Sequence, residues 1–278
     1  MPDPGVGLQI LNWAWDRKDA IAQSIANLYK WFRGNSGPDE RGILIIGPGG
    51  TGKTTLARLL SGEYDWLRDS PWEYKQSLDT EHSRLKDDPT VELVAPPGQP
   101  FRREFAWPDL LSDLSAGKYR GVIFTVSYGY HSLTVTSHRD HVLFTGRKEE
   151  FLKAYTADRR ADELRVLQQL ASHLAACPRP IWLLVAVVKQ DLWTGSQREV
   201  EGYYRGDFYR EFDIVQRSLG DRFRVEFVFG SLVVCNFETQ QGERLAPNEA
   251  GYDQRDQVQS IRHLFEVVAA LKAWEEKS

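Results

Sequence analysis

The chain has 278 residues, of which 41% are hydrophobic and 27% are charged, and its formal net charge is −4. This length and composition predict one large domain or a domain with insertions, and the weak negative charge argues against general nucleic-acid binding. Because no apolar run reaches membrane-spanning length and the N-terminus lacks the features of a signal peptide, we expect a soluble, cytoplasmic protein.

The N-terminal segment has apolar residues at broadly helical spacing over residues 8–33, followed by helix-breaking residues at 34–38. This pattern predicts an N-terminal helical extension, residues 1–38, that packs on the surface of the remaining domain, residues 39–278. A helix that binds a partner or a membrane surface is the alternative interpretation.

The next segment, GPGGTGKT at residues 47–54, matches the phosphate-binding loop pattern G-x-x-x-x-G-K-[ST] in full. A short apolar run precedes it and a helical pattern follows it, which is the context that the motif requires. Glycines let the backbone N–H groups point inward, and the helix N-terminus adds partial positive charge. The motif predicts that Lys53 contacts the β- and γ-phosphates and that the Thr54 hydroxyl ligates Mg²⁺. The predicted nucleotide-binding residues here are Gly47, Gly49, Gly50, Thr51, Gly52, Lys53, Thr54 and Thr55. A glycine-rich turn between a core strand and a helix is the alternative.

Strands and helices alternate along the rest of the chain. Strands are predicted at 90–95, 121–127, 181–188 and 223–229, with a further one near 72–78 or 80–85. Helices are predicted at 107–114, 159–176, 208–219 and 256–274, and insertions near 128–155 and 196–207. This alternation predicts an α/β fold, the three-layer P-loop NTPase sandwich with a mostly parallel central sheet. In such sheets ligands bind at the carboxyl ends of the strands.

The segments at those strand ends resemble the motifs of Ras-like GTPases of the translation-factor-related class, over roughly residues 41–275 with two insertions. In that family a strand is followed by D-x-x-G-Q, and here residues 95–99 read APPGQ. The resemblance implies that the Gly98 amide senses the γ-phosphate and that Gln99 is the catalytic residue that positions the attacking water. Ala95 replaces the aspartate, which removes an outer-shell carboxylate from Mg²⁺. Three acids could compensate: Asp79, Glu81 and Glu92. A proline-rich turn that closes a strand is the alternative.

The family's N/T-K-x-D motif matches Val188-Lys189-Gln190-Asp191, apart from Val188. An aspartate accepts hydrogen bonds from both guanine N1–H and the exocyclic amine, and adenine has no such donor pair. The resemblance places Lys189 along the base face and the phosphate loop, and it implies that the Ser231 backbone supports guanine recognition. It also implies a second magnesium ligand from a mobile loop, for which Thr80 and Ser77 are the candidates. A charged loop after a core strand is the alternative.

Three histidines of the predicted insertion, His131, His138 and His141, lie near Asp140 and are interpreted as surface residues rather than a metal site. Arg159 and Arg160 are interpreted as a solvated helix face rather than a lid or an arginine finger. The two cysteines of the chain, both in apolar surroundings, are interpreted as small core residues: Cys177 and Cys235.

These features predict a guanine-nucleotide-binding switch that uses Mg²⁺, takes GTP and GDP as ligands, hydrolyses GTP slowly and controls a protein effector or answers to a regulator. A nucleotide-binding interaction module without turnover is one alternative, favoured by Ala95 and Val188. A P-loop kinase for a small molecule, with Arg159 and Arg160 as lid residues, is another. Neither the partner nor the oligomeric state follows from the sequence.

Overall fold

The computed structural model describes residues 41–63, 78–86, 88–248 and 252–278. The N-terminal helical extension predicted over residues 1–38, the Ser77 candidate and nearly all of the possible strand at 72–78 lie outside the described residues.

A six-stranded, mostly parallel sheet forms the middle layer, with the strand order β2-β3-β1-β4-β5-β6. Its strands are β1 (Gly42–Ile46), β2 (Glu81–Leu85), β3 (Asp88–Ala95), β4 (Tyr119–Val126), β5 (Ile181–Val187) and β6 (Phe223–Phe229). Only β2 runs antiparallel, beside β3, at one edge of this sheet. Strands β1, β4 and β5 are buried along their whole length, as strands are in a sheet that is covered on both faces. The charged residue of β4, Arg120, is buried in an ion pair with Glu275.

Helices cover both faces of the sheet. They are α1 (Lys53–Ser61), α2 (Pro100–Ser115), α3 (Lys148–Ala175), α4 (Gln197–Arg205), α5 (Asp207–Arg210), α6 (Asp213–Leu219) and α7 (Gln254–Glu275), with 3-10 turns at His138–Asp140, Gln190–Leu192, Thr194–Ser196 and Gly220–Arg222. Helices α1 and α7 share one apolar core with the sheet, and α2 to α6 share the other. The predicted fold class, a three-layer α/β sandwich, is therefore confirmed. Within the described part of the chain, no helix combines the length and apolar character needed to cross a bilayer.

Helix α3 begins eleven residues before its predicted start at Arg159, since its first residue is Lys148. The buried face continues upstream through Phe151 and Tyr155, but Asp162 and Glu163 occupy the buried positions further along. Because these two acids interrupt the apolar pattern, the sequence shows only the C-terminal half as an amphipathic helix.

The other differences are local. Helix α2 starts at Pro100 instead of residue 107, the predicted insertion at 196–207 contains α4, and the helix predicted at 208–219 divides into α5 and α6. The polar loop predicted after β6 contains a hairpin of β7 (Phe237–Glu238) and β8 (Arg244–Ala246). This hairpin and the insertion after β4 share a small apolar cluster: Leu133, Phe151, Tyr155, Leu192, Phe237 and Leu245. Both elements therefore pack together beside the carboxyl edge of the sheet.

Candidate nucleotide-binding site

The phosphate loop connects the end of β1 to the first residue of α1, Lys53. Gly50 has a φ of +77°, and a Cβ there would lie 2.5 Å from Ser132 N. Gly47 has a φ of +152°, and a Cβ there would collide with the Thr125 carbonyl. The Thr51 hydroxyl closes the loop by donating to Pro48 O at 2.9 Å. Only glycine suits the two glycine positions, so the loop curls tightly around the N-terminus of α1.

The Lys53 ammonium folds back over this loop. Its Nζ donates to Gly47 O at 3.0 Å and to Pro48 O at 2.8 Å. Burial lowers the pKa of Lys53 to about 7, and the Arg103 cation adds to this effect, while Glu81 and Asp162 oppose it. An anion at this place would stabilise the charged form of Lys53. The loop therefore has the backbone and the cation that a phosphate site needs.

The Thr54 hydroxyl, the predicted magnesium ligand, donates to Glu81 Oε1 at 3.0 Å. Glu81 is the first residue of β2 and directly follows Thr80, the other predicted ligand. Hydroxyl and carboxylate oxygens are the donors that Mg²⁺ prefers. The residues at the N-terminus of α1 therefore fit a magnesium ion, which Thr54 and Glu81 would hold. The role of Thr80 stays a prediction.

The segment 95–99, which resembles the third family motif, lies against the phosphate loop. A Cβ at Gly98 would collide with Lys53 Nζ, and a Cβ at Gly49 would lie 3.2 Å from Gln99 Cγ. Gly98 O accepts a hydrogen bond from Arg103 Nε at 2.6 Å, and Arg103 also makes a two-point ion pair with Asp162 on α3. Helices α2 and α3 thus hold the Gly98 backbone next to Lys53.

A cavity of about 120 Å³ opens beside Gly49 and Gln99, and Arg103, His141, Arg159 and Asp162 contribute to its walls. The interpretation of Arg159 and Arg160 as a solvated face is wrong. The Arg159 guanidinium lies 5.4 Å from the ring centroid of Tyr155, and that of Arg160 lies 4.4 Å from the ring of Tyr128. Both arginines are half-buried, Arg159 against Tyr155 of α3 and Arg160 against Tyr128, which follows β4.

The predicted base-side residue Lys189 is connected to the phosphate loop through Ser132. Lys189 Nζ donates to Tyr130 O at 2.6 Å and to Ser132 Oγ at 3.1 Å. The Ser132 backbone N–H in turn donates to Gly50 O at 3.2 Å. Burial lowers the pKa of Lys189 to about 8. One chain of contacts therefore joins the ends of β1, β4 and β5.

The Asp191 carboxylate is buried and held from two sides. The Ser231 hydroxyl donates to Asp191 Oδ1, and the Cys235 backbone N–H donates to Oδ2 at 3.0 Å. Burial raises the pKa of Asp191, although both hydrogen bonds oppose the shift. The structure thus brings Asp191 and Ser231 together through the Ser231 hydroxyl, while the Ser231 backbone N–H donates to the Tyr252 hydroxyl at 2.9 Å. Cys235 is exposed, so its interpretation as a core residue is wrong, whereas Cys177 is buried as predicted.

The histidine interpretation is wrong for two of the three residues, because the insertion after β4 is packed rather than exposed. His131 is buried with its Nε2 2.9 Å from Glu163 Oε1, and burial lowers its pKa. His138 is also buried, with Nδ1 2.8 Å from Glu243 Oε2.

Glu163 is the most connected buried acid of this region and was missed by sequence reasoning. Its Oε1 accepts from the backbone N–H groups of Ser127 at 2.9 Å and Gly129 at 3.2 Å. Its Oε2 accepts from the Tyr204 hydroxyl at 2.7 Å. Glu163 therefore fixes the backbone that leaves β4 and reaches the phosphate loop. The sequence offered one signal for Glu163, namely its place beside the apolar face of a predicted amphipathic helix.

No protein-family model and no curated protein sequence matches this chain. Among solved structures, an Arf-like GTP-binding protein, the small COPII coat GTPase SAR1 from Encephalitozoon cuniculi, matches with 12% identity and a TM-score of 0.46, over 99% of this chain and 98% of that one. Toc33 from Arabidopsis thaliana matches with 9% identity and a TM-score of 0.41, over 91% and 92%. The signal recognition particle receptor SRb from Chaetomium thermophilum matches with 18% identity and a TM-score of 0.35, over 69% and 89%.

The fold is a three-layer α/β sandwich with a glycine-rich loop between β1 and α1. This assignment rests on the strand order, the single antiparallel edge strand and the loop between β1 and α1, because similarities at these low identities and TM-scores carry no functional conclusion.

Proposed function

We propose that the protein is a guanine-nucleotide-binding switch that takes GTP and GDP with Mg²⁺ and hydrolyses GTP slowly. The observation that carries the proposal is the contact chain from Lys189 through Ser132 to Gly50, because it joins the predicted base side to the phosphate loop. A nucleotide that spans such a chain meets Lys53 at one end and Asp191 at the other.

The phosphate end follows from charge. The Lys53 ammonium has lost its hydration and is partnered by two carbonyl oxygens, so phosphate oxygens would restore its charged form. Mg²⁺, when bound, would neutralise phosphate charge, and Thr54 and Glu81 would hold it. The N-terminus of α1 adds its partial positive charge at the same place.

The base end follows from hydrogen bonding. Ser231 and the Cys235 N–H hold the Asp191 carboxylate in one orientation, and each carboxylate oxygen keeps a further lone pair for a ligand donor. Guanine offers the matching pair of donors, N1–H and the exocyclic amine. This arrangement supports a preference for guanine over adenine.

The surroundings of Gln99 support the proposal of slow GTP hydrolysis. The residue lies beside Gly49 of the phosphate loop, where it would orient a water molecule. The nearby cation Arg103 is engaged by Asp162 and by Gly98 O, so this guanidinium is not directed at a phosphate. We therefore expect hydrolysis to depend on a group that a partner supplies.

Two alternative functions make different demands on the site. The non-hydrolysing module is favoured by Ala95, and it shares the binding step with the switch. The kinase alternative needs a carboxylate for the acceptor hydroxyl, and the acid in the cavity wall, Asp162, is already paired with Arg103.

The first experiment is isothermal titration calorimetry of the nucleotide-free protein with GDP and with ADP, both with Mg²⁺. Wild type is expected to bind GDP more tightly. Asp191→Ala removes charge-assisted hydrogen bonds worth about 1.5–3 kcal/mol each, so GDP affinity should fall about tenfold or more. The control is Asp221→Asn. Asp221 is an exposed acid just before β6, at the amino-terminal ends of the parallel strands and therefore away from the predicted site. Equal or tighter binding of ADP by wild type would contradict the proposal.

A further inference from the structure

The antiparallel pairing of β2 with β3 places Glu81 directly opposite Ala95. Residues that face each other in this way project from the same side of the sheet, with Cβ atoms about 4.5–5.5 Å apart. Ala95 belongs to the apolar core under α1 and α7. The Glu81 side chain therefore lies beside Ala95 on the face of the sheet that α1 covers.

Glu81 reaches the first turn of α1 from this position, where its Oε1 accepts the Thr54 hydroxyl hydrogen at 3.0 Å. A hydroxyl has one hydrogen to donate and two lone pairs. By taking the hydrogen, Glu81 leaves the Thr54 lone pairs available for a cation. Glu81 also stabilises the charge of nearby Lys53, whose pKa it helps to raise.

The two other acids considered from the sequence are placed differently. Glu92 lies three residues before Ala95 on β3, so its side chain projects from the opposite side of the sheet. There its Oε1 lies 2.9 Å from His82 Nδ1, and both side chains are exposed. Asp79 is exposed and precedes β2. Only Glu81 of these three acids contacts the predicted magnesium ligand in the described residues.

We propose that Glu81 supplies, from β2, the outer-shell carboxylate that the resembling GTPases place at the position of Ala95, and that it supports Mg²⁺ by orienting the Thr54 hydroxyl that ligates the ion. The proposal rests on the proposed function, since it concerns the metal of the same nucleotide site. One consequence is particular to this chain: metal binding depends on the start of β2 rather than on the segment 95–99.

The test measures magnesium affinity, through the Mg²⁺ dependence of fluorescent GDP dissociation, and compares it with GDP affinity in EDTA. In Glu81→Gln, Mg²⁺ affinity should fall about 10–100-fold, the usual effect of losing an outer-shell partner. The GDP affinity measured in EDTA should change much less. Glu92→Gln is the matched control and should behave as wild type.

A rescue experiment separates charge from packing. The double variant E81Q/A95D moves the carboxylate to the neighbouring strand on the same side and should recover most of the lost Mg²⁺ affinity. The variant E81Q/A95N has nearly the same shape without the charge and should recover none.

The proposal is overturned if E81Q keeps wild-type Mg²⁺ affinity, or if E81Q/A95N recovers as much as E81Q/A95D. If wild type binds ADP more tightly than GDP, the same Mg²⁺ titration is carried out with fluorescent ADP. The test of Glu81 therefore does not depend on the base assignment. A wild-type protein that binds neither nucleotide, with or without Mg²⁺, overturns both proposals.

Discussion

Nucleotide binding should weaken as the pH rises from 7 to 9, because the Lys53 side chain must gain a proton when phosphate binds. Burial lowers the pKa of Lys53 in the free protein to about 7 from its ordinary 10.5. Phosphate oxygens around the Nζ atom favour the ammonium form and raise that pKa again. Binding is therefore linked to proton uptake wherever the free protein has lost the Lys53 proton.

The size of the effect follows from the pKa of about 7. Proton uptake should be about 0.5 at pH 7, about 0.9 at pH 8 and nearly 1 at pH 9, if the pKa in the complex lies well above 9. Integrated over these two pH units, the affinity for GDP falls about 50-fold, which corresponds to about 2.3 kcal/mol. The terminal phosphate itself contributes little, because its second pKa lies near 6.

The assay is calorimetry of GDP binding at pH 7, 8 and 9 in two buffers with different ionisation enthalpies, which yields the number of protons taken up. Burial also lowers the pKa of Lys189, to about 8, so a Lys189→Arg variant, which keeps a charge that does not titrate here, isolates the contribution of Lys53. An uptake near zero at pH 8 in K189R, with affinity independent of pH, would refute the reasoning.

Two further predictions concern turnover and stability. In single-turnover experiments, Gln99→Leu should slow GTP hydrolysis about 100-fold or more without changing GDP affinity, because it removes the group that we propose orients water beside Gly49. Unaided turnover that survives Q99L would contradict this role, and absent turnover in wild type would favour the non-hydrolysing module. Glu163→Gln should lower the free energy of unfolding in urea by about 1–3 kcal/mol, because an amide NH₂ then faces donors that the carboxylate accepted. The exposed Glu150→Gln on the same helix serves as its control, and equal stability of E163Q and wild type would show that the Glu163 hydrogen bonds contribute nothing.

The sheet was largely predictable because its strands have strong local signals. Strands β1 and β5 coincide closely with apolar runs in the sequence, and β4 and β6 with segments rich in β-branched and aromatic residues. The alternation of these strands with helices indicates parallel pairing. The insertions were not predictable in the same way. Their apolar residues, such as Leu133, Phe237 and Leu245, are far apart in sequence and form a cluster only after the hairpin packs on α3.

The buried polar residues show the same limit. His131, Asp162 and Glu163 read as surface residues when burial is judged from residue type alone. Each of them is buried because a specific partner lies opposite: Glu163 for His131, and Arg103 for Asp162. Such pairs join residues that are more than thirty positions apart in the sequence, so no local sequence pattern predicts them.

The sequence by itself predicted the phosphate loop, because its eight residues are contiguous and the helix that follows has its own pattern. Only the tertiary structure showed that Thr125 and Ser132 pack against Gly47 and Gly50 of this loop. The positions of Ala95 and Asp191 at strand ends could be predicted from the sequence. The residues that surround them in space became known only from the tertiary structure. The β2–β3 register decided that Glu81 stands opposite Ala95, and the loop after β6 decided which donors hold Asp191. Register and loop closure depend on the whole packed sheet, and for that physical reason they are absent from any single segment of the chain.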